Sequence, residues 1–458
     1  MKLFGTDGLR GKAGEFPLDA GSVHLVGREV GRRVAASGRR TVVVGGDTRE
    51  STPAIAAELA AGIAASGGTV AHAGVVPTPA VAELVLASSA GAGISISASH
   101  NPFEDNGIKI FGPDGTKWAD EEEASLEKLL VASRETDEGT RAAQRSAASQ
   151  SRTGRLGDGA TLPEVDSALA EIYVSRLLEK IPKRLDGLPV TIDAGNGAAF
   201  RVGPEVLGRA GARVTGLNDR PDGKNINAGC GALHPEGMAR ATREAGAALG
   251  VALDGDADRS IFSDETGRIL DGDDVLWITA TSWKREGHLP PGGVVGTVMS
   301  NWGLEAALAR EGIPFARAAV GDRNVARLME QRGAGLGGET SGHILLPFSP
   351  AGDGILTTLL VAAIAAGSGR RLSELATLAK TPQQLRNVRV ARRLPIEDVP
   401  AIARAVAHAK DALAERGRVF LRYSGTEPLL RILVEGFDAG AVTAIADELE
   451  TAVRRALA

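Results

Sequence analysis

Three aspartates lie within five residues, in the segment Asp254-Gly-Asp-Ala-Asp258. On an extended segment, side chains at positions i, i+2 and i+4 point to one side, and small residues between them let the backbone approach a cation. Asp254, Asp256 and Asp258 would repel one another without a counter-ion. Carboxylate oxygens favour Mg²⁺ or Ca²⁺ over zinc. The segment therefore predicts a divalent-cation site.

Two further interpretations of this acidic segment stay open at the level of sequence. If Asp254 is position one of a calcium-binding EF-hand loop, Glu265 falls at position twelve, but Arg259 occupies position six, where that loop needs glycine. The segment also approaches the Asp-x-Asp-x-Thr/Val nucleophile loop of aspartate-based phosphatases, although its fifth residue is Asp258. Both interpretations fit the residues less well than a simple cation site.

A second motif, Ile94-Ser-Ile-Ser-Ala-Ser-His-Asn-Pro102, predicts a β-branched strand that runs into a polar turn. Ser99 stands beside His100 and Asn101, so its hydroxyl is surrounded by groups that could hold a transferring phosphoryl group, with Lys109 a few residues on. The segment is not the Gly-x-Ser-x-Gly elbow of hydrolases, and no Asp-His orienting pair is evident. The alternative is a polar turn that caps a helix.

A third motif, Gly337-Gly-Glu-Thr-Ser-Gly-His343, carries one acid, one hydroxyl and one imidazole among glycines. Glu339 and Ser341 suit neighbouring sugar hydroxyls, because a carboxylate accepts hydrogen bonds while a serine hydroxyl both donates and accepts. The alternative is a glycine-rich turn without a ligand.

A fourth motif lies near the end of the chain, where Arg422 and Arg431 bracket the loop Ser-Gly-Thr-Glu-Pro. Ser424, Thr426 and the backbone N–H groups around Gly425 have the composition of a phosphate-binding nest. The alternative is a solvated hairpin with surface arginines.

Alternating strands and helices are expected to position the first three motifs. Thr41-Val-Val-Val-Gly45 predicts a buried strand, and Ser51–Ala65, with Pro53 in its first turn, predicts a helix. The same pattern recurs from Val190 and from Val294, which indicates α/β layers whose sites lie at strand ends.

The end of the chain has a different pattern. Strands near Val419–Leu421 and Leu430–Glu435, followed by an amphipathic helix over Val442–Leu457, predict a small α+β domain. Ser133–Pro163 has almost no large apolar residues, so we expect it to contribute no core and to contain the first domain boundary. The predicted domains are 1–160, 161–264, 265–385 and 386–458.

Composition limits the class of protein. The 458 residues include 52 Lys+Arg and 57 Asp+Glu, a net charge of −5, which disfavours a nucleic-acid partner bound through a basic surface. A single cysteine fits a reducing compartment. The longest apolar stretch, Ile355–Ala366, is shorter than the roughly 20 residues that a bilayer needs, and no secretion signal opens the chain. We therefore expect a cytoplasmic enzyme with no membrane partner.

The opening Leu3-Phe-Gly-Thr-Asp-Gly-Leu-Arg-Gly11 and the four motifs above occur together and in this order. The set resembles the α-D-phosphohexomutases over nearly the whole chain, and the opening is most similar to bacterial members that act on glucosamine phosphates. The resemblance implies three α/β domains with mixed sheets and a smaller C-terminal α+β domain of TATA-binding-protein-like fold, arranged around a central cleft.

The resemblance also implies a reaction. Glucosamine 6-phosphate and glucosamine 1-phosphate would interconvert through a phosphoserine enzyme and glucosamine 1,6-bisphosphate, for the synthesis of UDP-N-acetylglucosamine and peptidoglycan. One Mg²⁺ per chain is implied, and glucosamine or glucose 1,6-bisphosphate is a candidate activator. The expected partner is a phosphosugar, and a homodimer stays open.

The family's site residues carry over to matching positions. Ser99 would be phosphorylated, and a phosphate oxygen there would join Asp254, Asp256 and Asp258 around the metal. The remaining catalytic positions are Arg10, His100, Lys109 and Arg259 near the transferring group and His343 as a proton acceptor or donor. The substrate-binding positions are Glu339 and Ser341 for sugar hydroxyls, Asp322 and Arg323 in a further loop, and Arg422, Ser424, Gly425, Thr426 and Arg431 for the non-reacting phosphate.

Overall fold

The computed structural model describes residues 3–5, 7–144, 156–157, 161–180, 184–424 and 428–457, with side chains outside 135–144. The chain forms two compact units. The first unit comprises Met1–Val298 and Ala316–Ala376, and the second comprises Met299–Phe315 and Thr377–Ala458. Each unit has its own sheets, and the predicted domain boundaries at residues 160, 264 and 385 stay predictions.

The first sheet of the first unit is mixed. Its strands are β1 (Phe4–Gly5), β2 (Gly8–Lys12), β3 (Thr41–Gly46), β4 (Thr69–Val75), β5 (Ala92–Ile96) and β6 (Asp105–Phe111). Its helices are α1 (Ala20–Ala36), α2 (Thr52–Ala65), α3 (Thr78–Ser88) and α4 (Asp120–Gln144). The strand order is β1-β2-β6-β5-β3-β4, with β3 parallel to both β4 and β5. The strand and the helix predicted for residues 41–65 are confirmed.

The Ser99 motif lies between β5 and β6, which pair antiparallel. The turn therefore joins two strands and does not cap a helix. Close packing of α1 on α2 supports this sheet from one face, because a Cβ atom at Gly27 would stand only 2.3 Å from the backbone oxygen of Leu59. Only glycine permits this approach of the two helices.

The second sheet of the first unit carries the acidic segment. Its helices and strands are α5 (Ser167–Glu179), β7 (Pro189–Asp193), α6 (Val202–Arg209), β8 (Arg213–Leu217), α7 (Glu236–Glu244), β9 (Leu249–Leu253), β10 (Ser260–Asp264) and β11 (Ile269–Leu270). The order is β11-β10-β9-β7-β8, in which β9 runs parallel to β7 and antiparallel to β10. The three aspartates lie in the connection from β9 to β10.

The third sheet carries the Glu339 motif. The elements of this region are α8 (Gly272–Glu286), β12 (Val294–Thr297), α9 (Trp302–Arg310), β13 (Phe315–Ala318), α10 (Asp322–Arg332), β14 (Leu336–Gly338), β15 (Ile344–Leu345), α11 (Gly354–Ser368) and α12 (Leu372–Leu375). The order is β13-β12-β14-β15, and α9 belongs to the second unit. The motif forms the turn between the antiparallel strands β14 and β15.

The apolar stretch Ile355–Ala366 forms most of α11, a buried helix that begins after the N-cap Asp353. Among the helices that the structure describes, none combines the length and the apolar character that a bilayer-spanning segment requires.

The second unit contains an antiparallel sheet covered by two helices. Its elements are β16 (Gln383–Arg389), α13 (Pro400–Leu413), β17 (Gly417–Tyr423), β18 (Leu429–Gly436) and α14 (Ala439–Leu457), with the strand order β16-β18-β17. Buried residues of α14 recur every three or four positions, at Val442, Ile445, Leu449 and Val453, which is the spacing of one helix face. The predicted α+β tail is confirmed, and its β16 and α13 were not predicted.

The segment Ser133–Pro163 differs from its prediction. Helix α4 runs through Gln144, and Leu156 and Leu162 pack, partly buried, against the core of the first sheet. The expectation that this segment contributes no core is therefore wrong, because isolated leucines in a polar segment still find apolar surface to cover. Residues 145–155 and 158–160 of the segment lie outside the described residues.

Candidate functional site

The Ser99 turn, residues 97–102, holds its serine in an unusual conformation. Ser99 is fully buried and has a φ of 55°, in the left-handed region that non-glycine residues rarely adopt. Its Oγ donates a hydrogen bond of 2.6 Å to Asp254 Oδ2 and lies 3.2 Å from His100 Nδ1. The hydroxyl is thus placed against the acidic segment, as a group that exchanges a phosphoryl beside a cation must be.

The aspartate loop, residues 254–259, is a tight turn and not the extended segment that the sequence predicts. Ala257 has a φ of 57°, and its N–H donates to the Asp254 backbone oxygen at 2.9 Å. The turn still gathers the carboxylates, because one oxygen from each aspartate lies within 4.8 Å of the others. The prediction that the three carboxylates lie together is confirmed. The predicted cause, an extended strand, is wrong, because the loop brings them together by turning at Ala257.

The donor set of the aspartate loop fits a hard divalent cation. All three aspartates are buried, with residue exposures of 1–3%, and Asp256 Oδ1 makes no hydrogen bond to any described residue. Burial, reinforced by the charges of Asp258 and Asp256, raises the pKa of Asp254 well above its ordinary value. A cation would relieve this repulsion, so the three aspartates could hold a metal.

Lys109 supplies the nearest positive charge. Its Nζ lies 2.8 Å from Asp256 Oδ2, 3.1 Å from Asp258 Oδ2 and 2.8 Å from Asp7 Oδ2. Burial alone would lower the pKa of Lys109, but the three carboxylates raise it well above its ordinary value. The lysine is therefore a fixed cation beside the aspartate loop.

Two arginines and a histidine surround the serine. Arg259 NH1 lies 3.1 Å from His100 Nδ1, and because a guanidinium only donates, Nδ1 is the acceptor and the histidine proton sits on Nε2. Burial and the charges of Arg259 and Arg10 lower the pKa of His100, so its neutral form is favoured. Arg10 donates to Asn101 Oδ1 at 3.5 Å and pairs with Asp7 at 2.5 Å.

His343 links two carboxylates. Its Nδ1 lies 3.6 Å from Asp258 Oδ1 and its Nε2 lies 3.8 Å from Asp322 Oδ2. Burial lowers the pKa of His343, but the two carboxylates outweigh this and raise it. Lys117 continues the chain of charges, since its Nζ contacts Asp322 at 2.7 Å and Asp7 at 2.5 Å.

The remaining predicted residues of the first unit lie around the turn between β14 and β15. Glu339 is half-buried and accepts a hydrogen bond of 2.9 Å from the Gly321 N–H, while Ser341 is exposed. Arg323 is held by ion pairs with Glu123 and with Asp120, the latter at 2.7 Å. Glu339 and Ser341 thus present a carboxylate and a hydroxyl of the kind that bind sugar hydroxyls.

The motif that is predicted to bind phosphate lies in the second unit. Arg422 and Arg431 are directly opposite each other in the β17–β18 register, and the Ser424 N–H closes the hairpin on the Leu429 oxygen at 2.8 Å. Burial and the neighbouring Arg431 lower the pKa of Arg422. Two arginines at directly opposed strand positions bring positive charge to one part of the hairpin, which favours an anionic ligand. Gly425 and Thr426 lie outside the described residues.

The structure thus brings together, in the first unit, most of the predicted site: Arg10, Ser99, His100, Lys109, Asp254, Asp256, Asp258, Arg259, Asp322 and His343. Sequence reasoning missed several residues that hold this group in place: Asp7, Arg49, Thr78, Lys117 and Asn227. Thr78, for example, donates from its N–H to the Asp256 backbone oxygen at 3.0 Å and from its hydroxyl to Asp256 Oδ2 at 2.7 Å. The available signals were weak: Asp7 lies in the opening motif, and Arg49 follows the end of β3.

A buried serine beside three aspartates that could hold a cation, with a fixed lysine nearby, is the arrangement expected of a phosphoryl-transfer enzyme. Sequence models of the phosphoglucomutase/phosphomannomutase family match this chain in four parts: alpha/beta/alpha domain I at residues 1–137, domain II at 171–267, domain III at 271–381 and the C-terminal domain at 385–452. The chain belongs to this family and is a phosphohexomutase, an isomerase.

Curated relatives and solved structures agree with this assignment. A phosphoglucosamine mutase of Geobacter sp. (strain M21) is 44% identical, with 100% of this chain and 98% of the relative covered. One from Symbiobacterium thermophilum is 44% identical over 100% and 99%. A family protein from Burkholderia thailandensis has a TM-score of 0.79 at 25% identity, covering 99% and 97%. An N-acetylphosphoglucosamine mutase from Aspergillus fumigatus, at 21% identity and a TM-score of 0.64 over 99% and 95%, shares the fold.

Proposed function

We propose that this chain interconverts glucosamine 6-phosphate and glucosamine 1-phosphate. Phospho-Ser99 gives its phosphoryl group to the free hydroxyl of the substrate, which forms glucosamine 1,6-bisphosphate and free Ser99. After the bisphosphate reorients, its other phosphoryl group returns to Ser99 and the second monophosphate leaves. The observation that carries the proposal is Ser99 Oγ, 2.6 Å from the aspartate triad. The amino sugar is favoured by full-length relatives named phosphoglucosamine mutase.

The proposed metal is Mg²⁺, held by Asp254, Asp256, Asp258 and an oxygen on phospho-Ser99. When bound, it would neutralise negative charge on the transferring phosphoryl group. Glucosamine or glucose 1,6-bisphosphate is the proposed activator, because either compound can supply the phosphoryl group that Ser99 needs before the first turnover.

The chain's own residues would stabilise the transfer. Lys109, Arg259 and Arg10 supply fixed positive charge around Ser99, where negative charge develops. His343 lies between two carboxylates that favour its protonated form, so it can exchange a proton with the reacting sugar hydroxyl. Glu339 and Ser341 would orient the sugar through its other hydroxyls.

We also assign the motif of the second unit to the phosphate that is not being transferred. Arg422 and Arg431 carry the charge, and Ser424, Gly425 and Thr426 supply hydroxyl and N–H donors. Recognition of a phosphate group and not of one end of the sugar would let the same residues serve both orientations of the bisphosphate. Asp322 and Arg323 would support the sugar contacts. We also propose a cytoplasmic location, because the substrates of this reaction are intermediates of cellular metabolism.

The experiment is a coupled assay that compares glucosamine 6-phosphate, glucose 6-phosphate and mannose 6-phosphate as substrates, with Mg²⁺ and a bisphosphate present. We expect the highest kcat/KM for glucosamine 6-phosphate and loss of all three activities in Ser99→Ala. A preference for glucose or mannose phosphate would replace the amino-sugar proposal with a phosphoglucomutase or phosphomannomutase, and full activity in Ser99→Ala would overturn the serine mechanism.

A further inference from the structure

We infer that Arg49 is a positioning residue that holds the phosphoryl-carrying serine in its reactive conformation. The inference rests on the proposed role of Ser99. Arg49 is a completely buried arginine that follows β3, and its guanidinium donates to the backbone of the Ser99 turn. Its hydrogen bonds go to the backbone of the turn and to Asp47, and none goes to the Ser99 hydroxyl or to the three aspartates.

The conformation of Ser99 requires support from outside the turn. A serine with a φ of 55° stays in the left-handed region only when the surrounding contacts fix it, since that conformation is sterically unfavourable for a residue with a side chain. This backbone conformation determines where Oγ points, and therefore its 2.6 Å contact with Asp254. A relaxed turn would move the hydroxyl away from the aspartate loop.

The guanidinium of Arg49 captures three carbonyl groups of the turn at once. Its NH2 group donates to the Ser99 oxygen at 3.0 Å and to the Asn101 oxygen at 2.8 Å, and its NH1 group donates to the Pro102 oxygen. A planar fork with five N–H groups can bridge three acceptors, whereas a lysine ammonium at this position could not reach all of them with the same geometry.

Arg49, Asp47, Ser97 and Ser99 form a closed ring of hydrogen bonds. Arg49 Nε donates to Asp47 Oδ2 at 2.9 Å, and the Ser97 hydroxyl donates to the same oxygen at 2.6 Å. The Ser97 hydroxyl in turn accepts from the Ser99 N–H at 2.9 Å. Both the N–H and the C=O of Ser99 are therefore fixed by one buried circuit that runs through Ser97, Asp47 and Arg49.

Loops that follow strands β8 and β9 of the second sheet lie against the same carbonyl group. Asn227 Nδ2 donates to the Ser99 oxygen at 3.0 Å, and a Cβ atom at Gly255 would stand 2.5 Å from that oxygen. The Ser99 carbonyl is thus the point where the turn, Arg49 and the aspartate loop meet. Loss of the Arg49 fork would remove the larger share of this support and leave buried carbonyl groups without donors.

The first test compares Arg49→Ala and Arg49→Lys with wild type in steady-state kinetics. Loss of hydrogen bonds from a charged donor predicts a fall in kcat of roughly 10- to 150-fold for either variant, with KM for the sugar phosphate nearly unchanged, because Arg49 binds no substrate. Arg268→Ala is the matched control, since Arg268 also pairs with an aspartate and donates to a backbone oxygen, of Ala376, away from the Ser99 turn. We expect wild-type kcat from this control.

The second test is rescue. Millimolar guanidinium should restore part of the kcat of Arg49→Ala, because the deleted side chain leaves a site of matching shape and hydrogen-bonding pattern, and it should not stimulate wild type or Arg49→Lys. If Arg49→Ala does not fold, Ser97→Ala is the alternative test, because it removes the Ser97 hydrogen bonds to Asp47 and to the Ser99 N–H without leaving a buried charge unpaired. We expect this variant to have a lower kcat and an unchanged KM.

The inference would be overturned if Arg49→Lys kept the wild-type kcat. It would also be overturned if Ser97→Ala and Arg49→Ala both folded and changed KM alone. Failure of the proposed function has a different signature, namely a wild-type enzyme inactive toward glucosamine phosphates. The kcat ratio of wild type to variant is then measured on whichever hexose phosphate the wild type converts, so the two failures are told apart.

Discussion

The Ser99 turn with its aspartate loop and the β17–β18 hairpin handle charge in opposite ways. Around Ser99, each described charged group has an opposite charge nearby, as Lys109 does between three carboxylates. In the hairpin, the like charges of Arg422 and Arg431 face each other across two strands. The first arrangement fixes atoms in place before substrate arrives, and the second brings two positive side chains to one part of the hairpin, which favours an anionic ligand. Transfer chemistry needs the former, and phosphate recognition needs only the latter.

Backbone conformation shows the same contrast. The two loops that meet at the proposed reaction centre each hold a non-glycine residue in the left-handed region, Ser99 at 55° and Ala257 at 57°. The hairpin strands pair in regular antiparallel register up to Tyr423 and from Leu430 onward. Strained turns supported by buried hydrogen bonds are typical of catalytic positions, while regular strands suffice to display two arginines.

The largest expected effect comes from removing the proposed nucleophile, Ser99. Ser99→Ala should lower mutase activity by at least about 1,000-fold, because it removes the hydroxyl that donates to Asp254 Oδ2 and that is proposed to carry the phosphoryl group. Intact-protein mass spectrometry of wild type should show a fraction with one added phosphoryl group, mapped to Ser99 and missing from the variant. Ser263→Ala, which removes a buried hydroxyl elsewhere in the first unit, is the control and should stay active. Phosphate on Ser97 together with an active Ser99→Ala would disprove the assignment.

The next effect concerns the charge balance of the aspartate loop. Chelation should abolish turnover and added Mg²⁺ should restore it, and Asp256→Asn should lose activity while it stays folded. Thermal unfolding gives a readout that does not depend on activity: Mg²⁺ should raise the Tm of wild type more than that of Asp256→Asn, because a ligand stabilises the state that binds it. Equal Mg²⁺ shifts in both proteins would place the metal elsewhere.

The hairpin predicts a smaller and symmetric loss. Arg431→Ala should lower kcat/KM by roughly 10- to 150-fold in both the forward and the reverse reaction, the value of a lost hydrogen bond to a charged group. Phosphorylation of Ser99 should survive, since the two lie in different units. Arg431→Lys separates charge from the geometry of the guanidinium fork and should lose less. Impairment in one direction only would show that the hairpin recognises one end of the substrate.

The last effect is on stability and not on activity. It concerns Asp353, a buried carboxylate whose hydrogen-bond donors are neutral, unlike the charged groups around the aspartate loop. Asp353 accepts from the N–H groups of Ile355 and Leu356 and from the Tyr173 hydroxyl, and burial raises its pKa from an ordinary 3.8 to about 6. Between these values the folded chain binds more protons than the unfolded chain, so this group's contribution to stability is full below pH 3.8 and falls as the pH rises to about 6. The whole change is about 3 kcal/mol in the free energy of unfolding.

Asp353→Asn should remove this pH dependence while it keeps the helix cap, because asparagine is also a good N-cap residue. Urea unfolding at pH 4 and pH 7 measures the difference. Relative to wild type, the variant should gain stability as the pH rises, and a constant difference between the two proteins would show that Asp353 is ionised throughout.

The sequence predicts the parts of the site that are local in the chain. Ser99 with its neighbours and the three aspartates are each contained in a few residues, so their chemistry is visible in the residue types alone. The charge network is not local: Lys117 meets Asp322 across 205 positions, and Lys109 meets Asp256 across 147. Nothing in the neighbourhood of either lysine in the sequence indicates which carboxylate it will contact.

The backbone conformation of the site could not be predicted from the sequence either. The aspartate loop was expected to be extended, but Ala257 adopts a left-handed conformation and bends it. The residue types in Asp-Gly-Asp-Ala-Asp do not indicate that the alanine, and not the glycine, takes this conformation. Arg49 could not be foreseen either, since a buried arginine is rare and its role depends on a turn 50 residues away. The prediction of α/β layers succeeded because it rests on periodicity, which is repeated many times along the chain.

The most direct test of the central claim follows the phosphoryl group itself through one turnover. Enzyme phosphorylated on Ser99 is mixed with glucosamine 6-phosphate in single-turnover amounts, and the reaction is quenched at successive times for mass spectrometry of the protein and of the sugar. The account predicts that phosphate leaves Ser99 at the rate at which glucosamine 1,6-bisphosphate forms, and that it returns to Ser99 as glucosamine 1-phosphate appears. Turnover with the phosphoryl group retained on Ser99 throughout, or with a phosphoaspartate in the loop at residues 254–258, would contradict it.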